Sequence, residues 1–159
     1  MTNQFEVVDQ PAIKLIGLAA DFYGGMSPKF NGQEVLGPLW GKVHQTLAEL
    51  NIPRIKMIGA TRTADSGEEG LLNQFVGAVV LEVPANIGDL EVLALPAMKL
   101  ATYEHHGSMN GLVASIQKFY GEVLPGQGCA RSGDWHLEIY DERYTNGDDS
   151  VMLIAVPIR

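Results

Sequence analysis

The stretch DWHLEIYDERY, residues 134–144, holds the residue types best suited to chemistry in this chain. With a period of two, Trp135, Leu137 and Ile139 point to one face of a strand, and His136, Glu138 and Tyr140 to the other. If that second face is exposed, Glu138 is an ordinary solvated carboxylate. If it is covered, a carboxylate lies beside an aromatic ring. An acid so desolvated keeps its proton or holds a counter-ion.

Other chemistry-bearing residues carry weaker patterns. His105 and His106 are adjacent on an expected strand, so they face opposite ways and do not suit one metal ion. The acidic runs at 65–69 and 148–149 lack EF-hand spacing and read as solvated turns. His44 reads as a helix-surface residue. Cys129, in the loop GQGCARSG, reads as incidental, and a lone cysteine forms no internal disulfide. A Ser–His–Asp spacing, a nucleophile elbow and a phosphate loop are all missing, so neither a catalytic residue nor a cofactor is expected.

The elements that would position Glu138 come from a chain of 159 residues, 46% hydrophobic and 19% charged, which suits one packed domain and argues against disorder. The net charge of −8, without a basic run, disfavours direct nucleic-acid binding and mildly favours cationic partners. No segment is apolar and long enough to span a bilayer, and the N-terminus lacks the pattern of a secretory signal. A cytoplasmic protein with no membrane association is expected.

The chain repeats itself. QPAIKLIGL at 10–18 and LPAMKLATY at 95–103 share the frame P-A-x-K-L, after the strand-like FEVVD and LEVLA. Helical stripes follow: Leu36, Leu39, Trp40, Val43, Leu47 and Leu50 in the first half, then Leu112, Ile116, Phe119, Tyr120 and Val123 in the second. Pro38 fits a first turn, so the first helix is expected over 36–50, firm from Gly37. The second is expected over 110–123, with Ser108 or Asn110 as cap. NIP (51–53) and VLP (123–125) should stop the two helices. RIKMIGATR and WHLEIYDER then read as strands, followed by polar turns and the closing strands FVGAVVLEVP and SVMLIAVPI.

The expectation is an α+β fold with pseudo-repeats 1–84 and 91–159. Two β-α-β-β modules would form one antiparallel sheet of about eight strands, with two main helices on one face and a central cleft. The repeat aligns Met57 with Glu138 and Gly59 with Tyr140, placing a carboxylate and a ring where the first half is apolar and small.

Residues 95–144 resemble the second half of the GyrI-like small-molecule-binding domain, also the effector-binding domain of AraC-type and MerR-type multidrug regulators. The resemblance rests on Pro96-Ala97, Tyr103-Glu104-His105-His106-Gly107, Leu124-Pro125 and Glu138-Ile139-Tyr140-Asp141. The first half fits more loosely, through Gly59 and Trp40. It implies a duplicated module with an aromatic-lined cavity, in which a buried glutamate binds lipophilic cations. By motif match that residue is Glu138. Tyr140 shares its strand face and is expected beside the ligand; Trp40, Tyr103, Tyr120 and Met57 are further lining candidates, each equally readable as core. Tyr23, before a Gly-Gly loop, is weaker. No helix-turn-helix domain is found in the sequence, so a stand-alone form is expected. Two alternatives remain open: a hydrolase of strained, electrophilic small molecules using the same glutamate, and a protein-interaction module inhibiting a topoisomerase.

Overall fold

Prolines set several of the element boundaries. In the computed structural model, which describes residues 4–159, Pro11 separates β1 (Phe5–Gln10) from β2 (Ile13–Tyr23). Helix α1 (Gly32–Glu49), β3 (Met57–Thr63) and β4 (Leu71–Val80) complete the first half. In the second half Pro96 separates β5 (Glu91–Leu95) from β6 (Met98–His106). A 3₁₀ turn (Met109–Gly111), α2 (Leu112–Lys118), a π-helical turn (Phe119–Val123) and α3 (Leu124–Gly126) follow. The chain then closes with β7 (His136–Tyr140) and β8 (Val151–Pro157).

The α+β class stands, with eight strands among the described residues and every described register antiparallel. Each half carries a leading strand beyond the β-α-β-β order. That leading strand pairs outside its own half: β1 lies on β6, from Phe5↔Tyr103 to Gln10↔Met98, and β5 lies on β2, from Ile13↔Leu95 to Gly17↔Glu91. Pro11 and Pro96 have no N–H for a ladder and interrupt the strand, which frees the leading segment to leave its half.

Two compact units result, one of the residues up to Ala12 with Pro96–Arg159, the other Ile13–Leu95. In the second, strands run in the order β3-β4-β2-β5, and α1 covers β2 and β4 with Val43 and Leu47 fully buried. The β2–β4 pair comes unusually close where Gly17 faces Gly77: a Cβ on Gly17 would meet the Val76 carbonyl at 1.7 Å, so only glycine fits. In the first unit strands run β1-β6-β8-β7, with a core of Ala101, Tyr103, Leu112, Phe119, Met152 and Ile154 among others. Full burial of Phe119 contributes roughly 2–3 kcal/mol.

Both helices depart from their expected limits. α1 begins at Gly32 and contains Pro38, rather than starting at 36–37. Pro38 and Glu34 lie on the exposed side, where water can take the Glu34 carbonyl that Pro38 leaves without a donor, so the helix survives its proline. Pro125 does not stop the second helix either: helical residues run on to Gly126. Pro125 sits in the first turn of α3, where its missing N–H costs little, because the π turn before it has already shifted the hydrogen-bond register. Ser108 precedes the 3₁₀ turn in extended backbone without making a side-chain cap bond. Among the described residues no helix is long and apolar enough to cross a membrane.

Candidate functional site

Residues paired directly across an antiparallel sheet point to the same face. Glu138 pairs with Ile154, Ile154 with Tyr103, and Tyr103 with Phe5, so these four form one row across the first unit. Helical residues cover that face. Tyr103 stacks on Phe119 at 5.6 Å between centroids, and Phe119 meets Tyr120 edge-on at 5.5 Å. Tyr120 in turn lies 5.8 Å from the His136 ring, near-parallel. Both rings of the helix, Phe119 and Tyr120, lie in the π turn, a local widening that recurs at functional sites.

The second face of β7 is therefore covered, and the Glu138 side chain is only 15% exposed. It is not the unpaired carboxylate that a lone acid among rings suggests. The Tyr140 hydroxyl donates to Oε1 at 2.9 Å, and His136 Nε2 lies 3.2 Å from Oε2. The chain continues, with Tyr120 Oη 2.6 Å from His136 Nδ1. An ionised carboxylate only accepts, so the His136 nitrogen facing it carries hydrogen. In the neutral imidazole the lone pair is then at Nδ1 and accepts the Tyr120 hydroxyl proton. Two more side chains frame the cluster: the Arg131 guanidinium lies 5.1 Å over the Tyr120 ring, and Tyr144 packs edge-on against Tyr140 at 4.9 Å.

The phenols are strongly held in the protonated form. Burial pushes Tyr120 up to about 12, with Arg131 pulling it down and the Glu138 charge pushing it up. Burial also raises Tyr140 well above the usual phenol range, reinforced by the Glu138 charge and by the hydrogen bond to Glu138. Tyr144 is raised by burial. The site thus holds one carboxylate against neutral aromatic hydroxyls. Chemically it can receive a cation onto ring faces beside a charge-assisted acceptor.

Of the residues singled out from sequence, Glu138, Tyr140, Tyr120 and Tyr103 fall in this one unit, Tyr103 as buried core at 6% exposure. Trp40 and Met57 belong to the other unit. There the Trp40 indole donates to Gln74 Oε1 at 3.1 Å, and Gln74 donates to Thr61 Oγ1 at 2.9 Å. A Cβ on Gly59 would meet the indole at 3.2 Å, so the glycine at the position matching Tyr140 makes room for the helix tryptophan. Met57 is buried in β3, opposite Ala78. His105 and His106 do diverge. His105 is buried, Nε2 donating to the Ser108 carbonyl at 2.8 Å and Nδ1 accepting from Ser115 Oγ at 2.6 Å; His106 is exposed beside Glu104. Neither ring nitrogen of His105 is left for a metal. His44 is half-buried against Trp40 rather than free on the surface, and burial lowers its pKa, as does the Arg54 charge.

Sequence reasoning missed His136, Arg131 and Tyr144. His136 carried a readable signal, lying two residues before Glu138 on the same strand face. Arg131, at an isolated bridge to Ile158, and Tyr144 lie outside the strands, where no periodicity assigns a facing.

A family model, the GyrI-like small-molecule-binding domain, matches residues 3–159. The chain belongs to the GyrI-like family. None of the curated proteins matches the sequence significantly. Among solved structures, this GyrI-like domain is similar to SAV2435 bound to tetraphenylphosphonium, with a TM-score of 0.77 at 14% identity, over 99% of this chain and 94% of that one. It is similar to the C-terminal domain of EcmrR, with a TM-score of 0.66 at 14% identity over 100% and 99% of the two chains. A hydrolase from Listeria innocua is more distant, with a TM-score of 0.54 at 11% identity over 98% and 92%. At these identities the likeness establishes the shared fold.

Proposed function

We propose that this GyrI-like domain binds lipophilic cations at Glu138. The observation that carries the reading is the Glu138 carboxylate, held by Tyr140 and His136 on a covered strand face with Tyr120 and Tyr140 as its aromatic neighbours. A delocalised organic cation meets there what it needs: one negative charge, ring faces, and few competing hydrogen-bond donors, since both phenolic protons are already engaged. Apolar contact supplies most of the affinity and little shape selection, so a broad ligand range is expected. The tetraphenylphosphonium bound to the structurally similar SAV2435 is a ligand of this class. The test is calorimetric titration of the wild type and Glu138→Gln with tetraphenylphosphonium and a neutral isostere. The substitution should weaken the cation by about 1–3 kcal/mol and leave the neutral compound nearly unchanged. Equal cation binding by both proteins defeats the assignment.

Hydrolysis is the second reading, favoured by one observation: Tyr120, His136 and Glu138 are connected as a nucleophile, base and orienting carboxylate would be. The same connection also serves to hold the carboxylate in place for a cation, and the sequence offers no nucleophile motif, which places binding ahead. Turnover of an electrophilic compound, followed by mass spectrometry and lost in Tyr120→Phe, would reverse that order.

A further inference from the structure

We infer that His136 sets the charge that the site offers a ligand, so that cation binding is coupled to release of a proton from its imidazole; this rests on the cation-binding reading of Glu138. His136 bridges the two elements of the site, with Nε2 3.2 Å from Glu138 Oε2 on its own strand and Nδ1 2.6 Å from Tyr120 Oη on the π turn. Its side chain is 18% exposed, so protons from solvent can reach it while the bulk does not screen the pair fully. Neutral His136 donates to Glu138 and accepts from Tyr120, leaving the site with the full carboxylate charge. Protonated His136 donates at both nitrogens, and Tyr120 needs only to turn its hydroxyl to accept. Both states fit the same heavy-atom positions. The imidazolium, however, cancels the charge that would hold a cation and repels the ligand directly.

The groups around this imidazole set no opposing switch. Among the described residues, Glu138 and Tyr140 share its strand, Tyr120 faces it from the π turn, and Arg131 lies over the Tyr120 ring. Asp134 is exposed two residues upstream, and Tyr144 touches Tyr140 only from the following loop. From β8, Ile154 on the same face opposite Glu138 is apolar. The phenols stay protonated at neutral pH, and histidine is the side-chain type that changes charge under physiological conditions, so His136 is the group of this site that can carry the coupling.

The experiment is calorimetric titration of the whole chain with tetraphenylphosphonium at several pH values from about 5.5 to 8, in two buffers of different ionisation enthalpy. The wild type should release close to one proton per cation at the acidic end. Its affinity should rise by about tenfold per pH unit there and level off above the imidazole midpoint. In His136→Gln, whose amide can still donate to Glu138 and accept from Tyr120, the slope and the proton release should vanish whatever the absolute affinity. On the wild type itself, NMR titration of the imidazole resonances should show one histidine of the four with its midpoint moved to lower pH by saturating cation. A pH-independent wild type, or a His136→Gln protein with the same slope, overturns the coupling and leaves cation binding intact. No binding even at pH 8 overturns the cation-binding reading, and this inference with it.

Discussion

The Tyr120 hydroxyl approaches His136 Nδ1 to 2.6 Å while the two rings lie near-parallel, 5.8 Å apart, so a single residue pair ties the helical layer to β7 by both a hydrogen bond and ring contact. The two components can be separated. Tyr120→Phe keeps the ring and removes the donor, leaving Nδ1 without a proton to accept. Equilibrium urea unfolding should show a loss of about 0.5–1.5 kcal/mol with an unchanged denaturant slope. Tyr120→Leu also loses the ring contact and should cost more. Equal losses for the two variants would mean that the hydroxyl accounts for the whole effect.

The raised phenols make stability fall at high pH. A group whose folded pKa lies above its unfolded value of about 10 contributes fully below pH 10 and is lost as pH rises through the folded value. For Tyr120, pushed up to about 12, that window runs from pH 10 to about 12. Each such tyrosine removes about 1.4 kcal/mol per pH unit within it. Tyr140, also raised by burial and the Glu138 charge, adds to the loss in the same direction. Denaturant midpoints at about pH 9 and pH 11 check this, with Tyr120→Phe showing the shallower decline. A wild type as stable at the higher pH would refute it.

The strand period placed His136, Glu138 and Tyr140 on one face because that rule is local, and the structure keeps it, alternating half-buried and buried residues along β7. The P-A-x-K-L frame is local in the same way, and it marks the starts of β2 and β6, each two residues after its proline. Partner choice was not legible. FEVVD and LEVLA read as strands, but nothing in five residues says that β1 pairs with β6 and β5 with β2. The helix limits read from Pro38 and Pro125 were also overruled, because solvent exposure at the first and the π turn before the second removed the usual penalty. Around Glu138 only the part of the network on its own strand, His136 and Tyr140, follows from the strand period; the extension to Tyr120 depends on the π turn, which the sequence pattern does not announce.

Gly59 and Trp40 give a prediction for the other unit. The indole edge already stands 3.2 Å from where a Cβ would sit, and Gln74 is held against the same spot. Gly59→Ala should displace the ring and strain the Trp40–Gln74–Thr61 chain, at a cost of about 1–3 kcal/mol. Gly59→Ala combined with Trp40→Phe should cost less than the two single changes together, since the smaller ring vacates the space. A thermodynamic cycle from chemical denaturation measures the coupling. Strict additivity would show that the two positions do not compete for room.

Arg131 already holds a cation over the Tyr120 ring, 5.1 Å from its centroid, where a cationic ligand would lie if that ring lines the site. The guanidinium is on an exposed residue and donates to the Trp135 carbonyl at 3.1 Å, so its position is built into the loop. It therefore competes with a lipophilic cation twice, by occupying the ring face and by like-charge repulsion. Arg131→Gln removes the charge and keeps an amide able to donate to the Trp135 carbonyl. Tetraphenylphosphonium should then bind about twofold to fivefold more tightly, the effect of losing an exposed cation–π competitor worth roughly 0.5–1 kcal/mol. Part of that gain should shrink at high salt, because the repulsive component is screened while the steric one is not. Titrations at low and high ionic strength separate the two. Weaker binding by Arg131→Gln at either salt concentration would mean that Arg131 shapes the site for its ligand instead of standing in its place.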